Sequence, residues 1–397
     1  MPIVFVHGVN TRKDPGYDAQ VAVTSNFLKR YLCGAVINGK TVSKSPTITF
    51  PYWGDLGISF AWEMASLPRG DLQALGGASK AGLRAIAATL KDGARSTLGD
   101  EPLTTMAKQD FPLAVEVLTS LLLEDPPQGK EADIADFVVA AQAFALANPS
   151  PNWLGTVATD EQLISNLKLA VTQDNPIQAQ GLGSMFNAVM LAAKHLKNSL
   201  KGLAGKAVDR TGDFASSKLL GWAREPLNEN LGRFFGDVFV YFEGRGDKHH
   251  PGKIPDRILQ AIDAAAADAG DEPLIIICHS LGAVIAFDLI SYYRSELEVD
   301  LFVSAGSQVA HFEEIKLYHN SDRNIKLGKK APTPANIRHW INVFDTVDIF
   351  SYACKDVFDR VDVDAEYDTR TFVVKSHSEY FKQARFYERL RARIDAL

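Results

Sequence analysis

The chain has 397 residues, 46% hydrophobic and 23% charged, which is enough for one large catalytic core with an insertion and unlike a disordered chain. Its net charge of −6 excludes the basic footprint that nucleic-acid binding requires, so no nucleic-acid partner is expected. The three cysteines, Cys33, Cys278 and Cys354, lack CxxC spacing, which argues for a reducing compartment and against a structural zinc.

The first expected element is a core strand, Pro2 to Val6, standing where a secretory leader would otherwise be. Apolar runs such as Phe137 to Ala147 fall short of the roughly 18 residues of a membrane span. A cytoplasmic protein is therefore the expectation, with leaderless export left open. A helix over Asp18 to Cys33 and a strand over Thr47 to Tyr52 follow. Residues 54–235 carry helical rather than strand periodicity, with one apolar stripe at Leu113, Val117, Leu118 and Leu121 and another at Phe186, Val189, Met190 and Ala193. Strand–helix alternation returns with a buried strand at Leu274 to Cys278 and a helix from Leu281 to Arg294. Strands at Val299 to Ser304, Trp340 to Phe344 and Thr371 to Val374 come next, then a closing helix after His377. Asp237 to Phe242 reads equally as a strand or as a helix end. The pattern predicts an α/β fold: a mostly parallel sheet built from residues 1–53 and 236–397, with 54–235 as a large helical insertion that forms a cap or lid.

The chemistry concentrates at Cys278-His279-Ser280-Leu281-Gly282, between the buried strand and an apolar helix. A strand–turn–helix of this kind lifts a serine hydroxyl above a sheet, and the helix N-terminus offers N–H groups to a developing oxyanion. The segment departs from G-x-S-x-G in having Cys278 at the first glycine. The same residues also fit a serine capping an ordinary helix. His7-Gly8 ends the first strand, and the N–H of Val9 beyond it is placed to complete an oxyanion hole with that of Leu281. An acid and then a histidine are expected downstream of the serine. Asp345 and Asp348 follow one strand; His377 follows the next and would serve as general base. Among the other histidines, His249-His250 reads as a solvated loop, and His279 as a structural neighbour of the serine. No ligand-spaced cluster implies a metal, and no cofactor is expected.

Together Ile3-Val4-Phe5-Val6-His7-Gly8-Val9-Asn10, Tyr52-Trp53-Gly54-Asp55, His279-Ser280-Leu281-Gly282, Ser304-Ala305-Gly306-Ser307 and Ser376-His377-Ser378-Glu379-Tyr380 resemble bacterial lipase-like α/β hydrolases. The resemblance implies an α/β-hydrolase core, Ser280 as nucleophile, His377 as base, and Val9 and Leu281 as oxyanion donors. It favours Asp348 over the alternative acid Asp345, because Asp348-Ile349-Phe350 fits the turn that often follows the acid in related lipases. His7, Gly8, Trp53, Asp55, His279, Gly306 and Ser307 become candidate pocket residues. The expected activity is that of a serine esterase or lipase acting on a carboxylic ester, with lipid or phospholipid esters ahead of small soluble ones. A thioesterase or amidase with the same triad, and a catalytically silent binding module acting through the insertion, are the alternatives. The lysine- and arginine-bearing stretch Leu191 to Leu219 makes peripheral membrane contact a further expectation.

Overall fold

Alternation along the strands explains the two-sided architecture. In a computed structural model, which describes residues 2–13, 15–66, 101–124, 131–174, 231–326, 328–371 and 373–397, the first strand, β1 (Pro2–Val6), is fully covered on both faces. Ile3 and Phe5 point into one apolar cluster, Val4 and Val6 into another. The next buried strand divides in the same way, with Ile275 and Ile277 on the first face and Ile276 and Cys278 on the second. Successive side chains of a strand point to opposite faces, so a continuous β-branched run can fill both sides of a sheet at once.

Helix α1 (Pro15–Leu32) begins on a proline, which is tolerated in the first turn because its missing N–H has no intrahelical partner. A short hairpin, β2 (Val36–Ile37) with β3 (Lys40–Thr41), leads to β4 (Thr47–Thr49). Helices α2 (Pro102–Gln109), α3 (Phe111–Glu124), α4 (Glu131–Ala147) and α5 (Asp160–Asp174) follow. A further helix, α6, covers residues 231–244, resolving the ambiguous Asp237 to Phe242 stretch as helical and starting ahead of the expected 235/236 boundary. Then come α7 (Lys253–Ala267), β5 (Ile275–His279), α8 (Leu281–Asp288) with a π-turn over Leu289–Tyr293, and β6 (Val299–Ala305). The chain closes with α9 (Val309–Glu314), β7 (Ile337–Phe344), β8 (Val363–Glu366), α10 (Val373–Glu379) and α11 (Ala384–Ile394).

Six strands form one sheet in the order β4-β1-β5-β6-β7-β8, every neighbouring pair parallel. The chain leaves β1 toward one edge and returns through β5 on the other side. The β1/β5 boundary is thus the switch point, where α/β sheets open a crevice at their carboxyl ends.

Two expectations need correction or narrowing. The strand expected at Thr371 to Val374 is absent: residues from Val373 onward are helical, and the edge strand is Val363–Glu366 instead. That edge strand alternates Val363 and Ala365 with Asp364 and Glu366 and is only half covered, so it lacks the apolar signature of a central strand. The β-branched run lost to tertiary context, as strand propensity commonly does. The helical character of 101–174 is as expected, yet these helices share one apolar cluster with α1, α11 and a face of the sheet. Val117 and Leu118 of the first stripe lie in that cluster. The second stripe, from Phe186 to Ala193, and the Leu191 to Leu219 stretch fall outside the described residues. No helix among the described residues is long and apolar enough to cross a membrane.

Candidate active site

Ser280 stands between β5 and α8 with φ 53° and ψ −133°. A left-handed φ is costly for a residue with a Cβ and survives where the surroundings over-determine it. Here its N–H donates to Ala305 O at 3.1 Å, and its carbonyl accepts from Ala283 N at 2.9 Å. The following turn of helix approaches the end of β1 so closely that a Cβ on Gly282 would lie 2.4 Å from the carbonyl oxygens of both Val6 and His7. Glycine at 282 is therefore required by the backbone at the end of β1 packed against it. Position 278 carries no such demand. Cys278 sits within β5, opposite Val6 and Ser304, and its side chain packs in the second apolar cluster. Burial pushes its thiol well above the usual range, leaving it a small apolar filler.

Ser280 Oγ lies 2.7 Å from His377 Nε2, and His377 Nδ1 lies 2.9 and 3.1 Å from the two oxygens of Asp348. The serine hydroxyl can donate to Nε2 while Nδ1–H donates to the carboxylate, which fixes the imidazole tautomer. Asp348 is 3% exposed and also accepts from Tyr380 OH at 3.0 Å and from Phe350 N–H at 2.9 Å. Gly306, with φ +56°, allows this crowding, since a Cβ there would lie 2.8 Å from the Tyr380 ring and 3.2 Å from Asp348 Oδ2. Asp345 is not part of the cluster: its oxygens accept from Thr369 N at 2.9 Å, Thr369 Oγ1 at 2.6 Å and Val347 N at 2.9 Å. Those bonds pin the loop after β7, leaving Asp348 as the carboxylate on the histidine. His377 reaches the site from a short helix rather than from a strand end.

The turn after β1 comes up against the serine. A Cβ on Gly8 would lie 2.6 Å from Ser280 Cβ and 3.1 Å from His279 O, so only glycine lets the chain pass. Val9 is the next residue, and Leu281 opens α8, where first-turn N–H groups have no intrahelical acceptor. Asp237 on α6 holds this turn, a role that sequence reasoning missed. Fully buried, it accepts from Asn10 N at 3.0 Å and Ile58 N at 2.7 Å and pairs with Arg12 Nη2 at 2.9 Å. Its one signal in the sequence is an acid amid Val238, Val240 and Tyr241.

The remaining candidates divide. His279 touches the cluster: its Nε2 is 2.6 Å from His377 O, and burial lowers its pKa to about 3. His7 and Trp53 instead lock to each other. Trp53 N donates to His7 Nε2 at 3.1 Å, Trp53 Nε1 to His7 O at 3.0 Å, and the rings stack at 5.0 Å. Burial lowers the His7 pKa to about 4, so the ring is neutral at pH 7. Asp55 is turned to the surface in an ion pair with Arg257. Ser307 is fully buried, its hydroxyl bonded to Asn342 Oδ1 at 3.2 Å. None of His7, Trp53, Asp55 or Ser307 hydrogen-bonds to Ser280, His377 or Asp348.

An apolar track leads from the cluster to the surface. The Phe350 ring lies 5.1 Å from that of His377 and 4.6 Å from Phe234, which is 5.5 Å from Phe235. Phe235, Ile349 and Val347 are 51%, 49% and 39% exposed. Among the described residues, no group of three or more His, Cys, Asp or Glu side chains is placed to hold a metal. Compared with family models, curated proteins and solved structures, the chain matches none.

Proposed function

We propose that the protein is a serine hydrolase built on an α/β-hydrolase core, cleaving carboxylic esters through an acyl-enzyme on Ser280. The observation that carries the reading is the run of short contacts from Ser280 Oγ through His377 to Asp348, begun on a serine held at φ 53°. A serine that merely capped a helix would need neither the strained backbone nor a histidine oriented by a buried carboxylate.

In this mechanism Ser280 Oγ attacks the ester carbonyl carbon as its proton passes to His377 Nε2. The resulting imidazolium is stabilised by Asp348, whose place is kept by Tyr380 and Phe350 N–H. The N–H groups of Leu281 and Val9 would receive the oxyanion, each such donor contributing about 10²–10³ in rate. His377 then returns the proton to the departing alcohol, and water enters by the reverse sequence to release the acid. Phe350, Phe234 and the exposed Phe235, Ile349 and Val347 favour an apolar acyl or alcohol group over a charged one.

Fluorophosphonate labelling of wild type and Ser280→Ala, with turnover of p-nitrophenyl esters of graded acyl length, tests the reading. Expected are labelling and turnover that vanish in the variant, with activity rising as the acyl chain lengthens from two carbons. A folded wild type that neither labels nor turns over any of these esters would favour a binding role for the same fold.

A further inference from the structure

We propose that His279, the residue before the nucleophile, is a positioning residue that clamps the main chain of His377 and so sets the reach of the base to Ser280; the inference rests on the hydrolase reading above. His279 Nε2 lies 2.6 Å from the carbonyl oxygen of His377. A carbonyl can only accept, so this nitrogen carries the hydrogen, and the ring is the Nε2–H tautomer. The two imidazoles lie 4.8 Å apart and tilted by 35°, and the His279 ring is flanked by Phe381 at 5.7 Å and Tyr380 at 6.0 Å.

His377 needs such an anchor. It lies on α10, a helix of seven residues whose far end is held by the buried Tyr380 and Phe381, whereas the main chain of His377 itself meets the His279 ring. Asp348 orients the ring through Nδ1 but does not hold the backbone that carries it. His279 supplies that hold from the same turn as Ser280, so one rigid ring spans nucleophile and base. Its other nitrogen faces the turn after β1: a Cβ on Gly8 would lie 3.2 Å from His279 Nδ1. The one side chain thus lies against the nucleophile turn, the base and the turn that carries Val9.

Three variants separate the clamp from simple packing. His279→Phe keeps a ring and loses the donor. His279→Gln carries an amide nitrogen near the place of Nε2, whereas the amide of His279→Asn is too short to reach the carbonyl. Steady-state kinetics on a p-nitrophenyl ester should show kcat falling about 10²-fold in the Phe and Asn variants with KM little changed, the signature of a misplaced catalytic group. The Gln variant should recover to within about tenfold of wild type, a misplacement much smaller than the full loss. In parallel, the downfield proton NMR resonance of His377 Nδ1–H should broaden in Phe and Asn and persist in Gln. The clamp is overturned if folded His279→Phe keeps wild-type kcat, or if Gln is no better than Asn. Should His279→Phe fail to fold, the Gln and Asn pair decides alone. Turnover that survives Ser280→Ala would overturn the hydrolase reading instead, a result distinct from any ranking of the position-279 variants.

Discussion

His7 makes the folded protein sensitive to mild acid. The ring is 6% exposed, its Nε2 accepts the Trp53 N–H, and Nδ1 lies 3.0 Å from Gly8 O. A proton on Nε2 would sever the first of these bonds and place a charge in the core, so the pKa falls from 6.5 to about 4. In the unfolded chain the imidazole titrates near 6.5, and between the two values the unfolded state binds the extra proton. Stability is accordingly full above pH 6.5 and declines as pH falls toward 4. A pH of 5 lies 1.5 units below the unfolded pKa, while the ring in the fold is still mostly unprotonated, a loss of about 2 kcal/mol relative to pH 7. Glu116, Asp136 and Asp160, held above the usual carboxylate range chiefly by burial, act in the opposite sense as pH falls toward that range. The effect is therefore read as a difference between proteins. Urea unfolding of wild type and His7→Gln at pH 7 and pH 5 should show wild type losing about 2 kcal/mol more than the variant over that interval. Equal losses, or an NMR titration of the folded protein in which His7 protonates near pH 6.5, would refute the reasoning.

Further predictions concern the acid and the glycine two residues after Ser280. Asp348→Asn should lower kcat by about 10⁴ by presenting the wrong tautomer to Ser280, with the fold retained. Asp345→Asn should keep turnover per folded molecule yet cost about 1–3 kcal/mol in urea unfolding, because it disturbs buried bonds to Thr369 and Val347. The reverse ranking in the ester assay would exchange the two roles. Gly282→Ala should destabilise by about 3 kcal/mol or more, since the new methyl meets backbone oxygens at 2.4 Å that cannot give way. Gly155→Ala, where a Cβ meets nothing within 4 Å, should stay within about 0.5 kcal/mol in the same thermal or urea melt.

What the sequence determines by itself is local and periodic. The runs at residues 2–6 and 274–278 are apolar at consecutive positions, the pattern of strands buried on both faces of a parallel sheet. Strand, turn and apolar helix around Ser280 can be read from neighbouring residues, and His377 is singled out as a candidate by its order along the chain. The choice between Asp345 and Asp348 is different. Both are acids in one short loop, and residue spacing cannot say which carboxylate meets the histidine and which is consumed by Thr369 and Val347. Packing decides it, through Tyr380 and the space left by Gly306. The edge strand Val363–Glu366 was hidden because a half-covered strand needs little apolar surface, while Thr371 to Val374 imitates a strand through β-branched content alone. The role of Asp237, and the contact of His279 with His377 rather than its place beside the serine, lie beyond any motif reading for the same reason. Their partners, Asn10 with Arg12 and the carbonyl of His377, are 227, 225 and 98 residues away, and only the tertiary structure brings them within hydrogen-bonding distance.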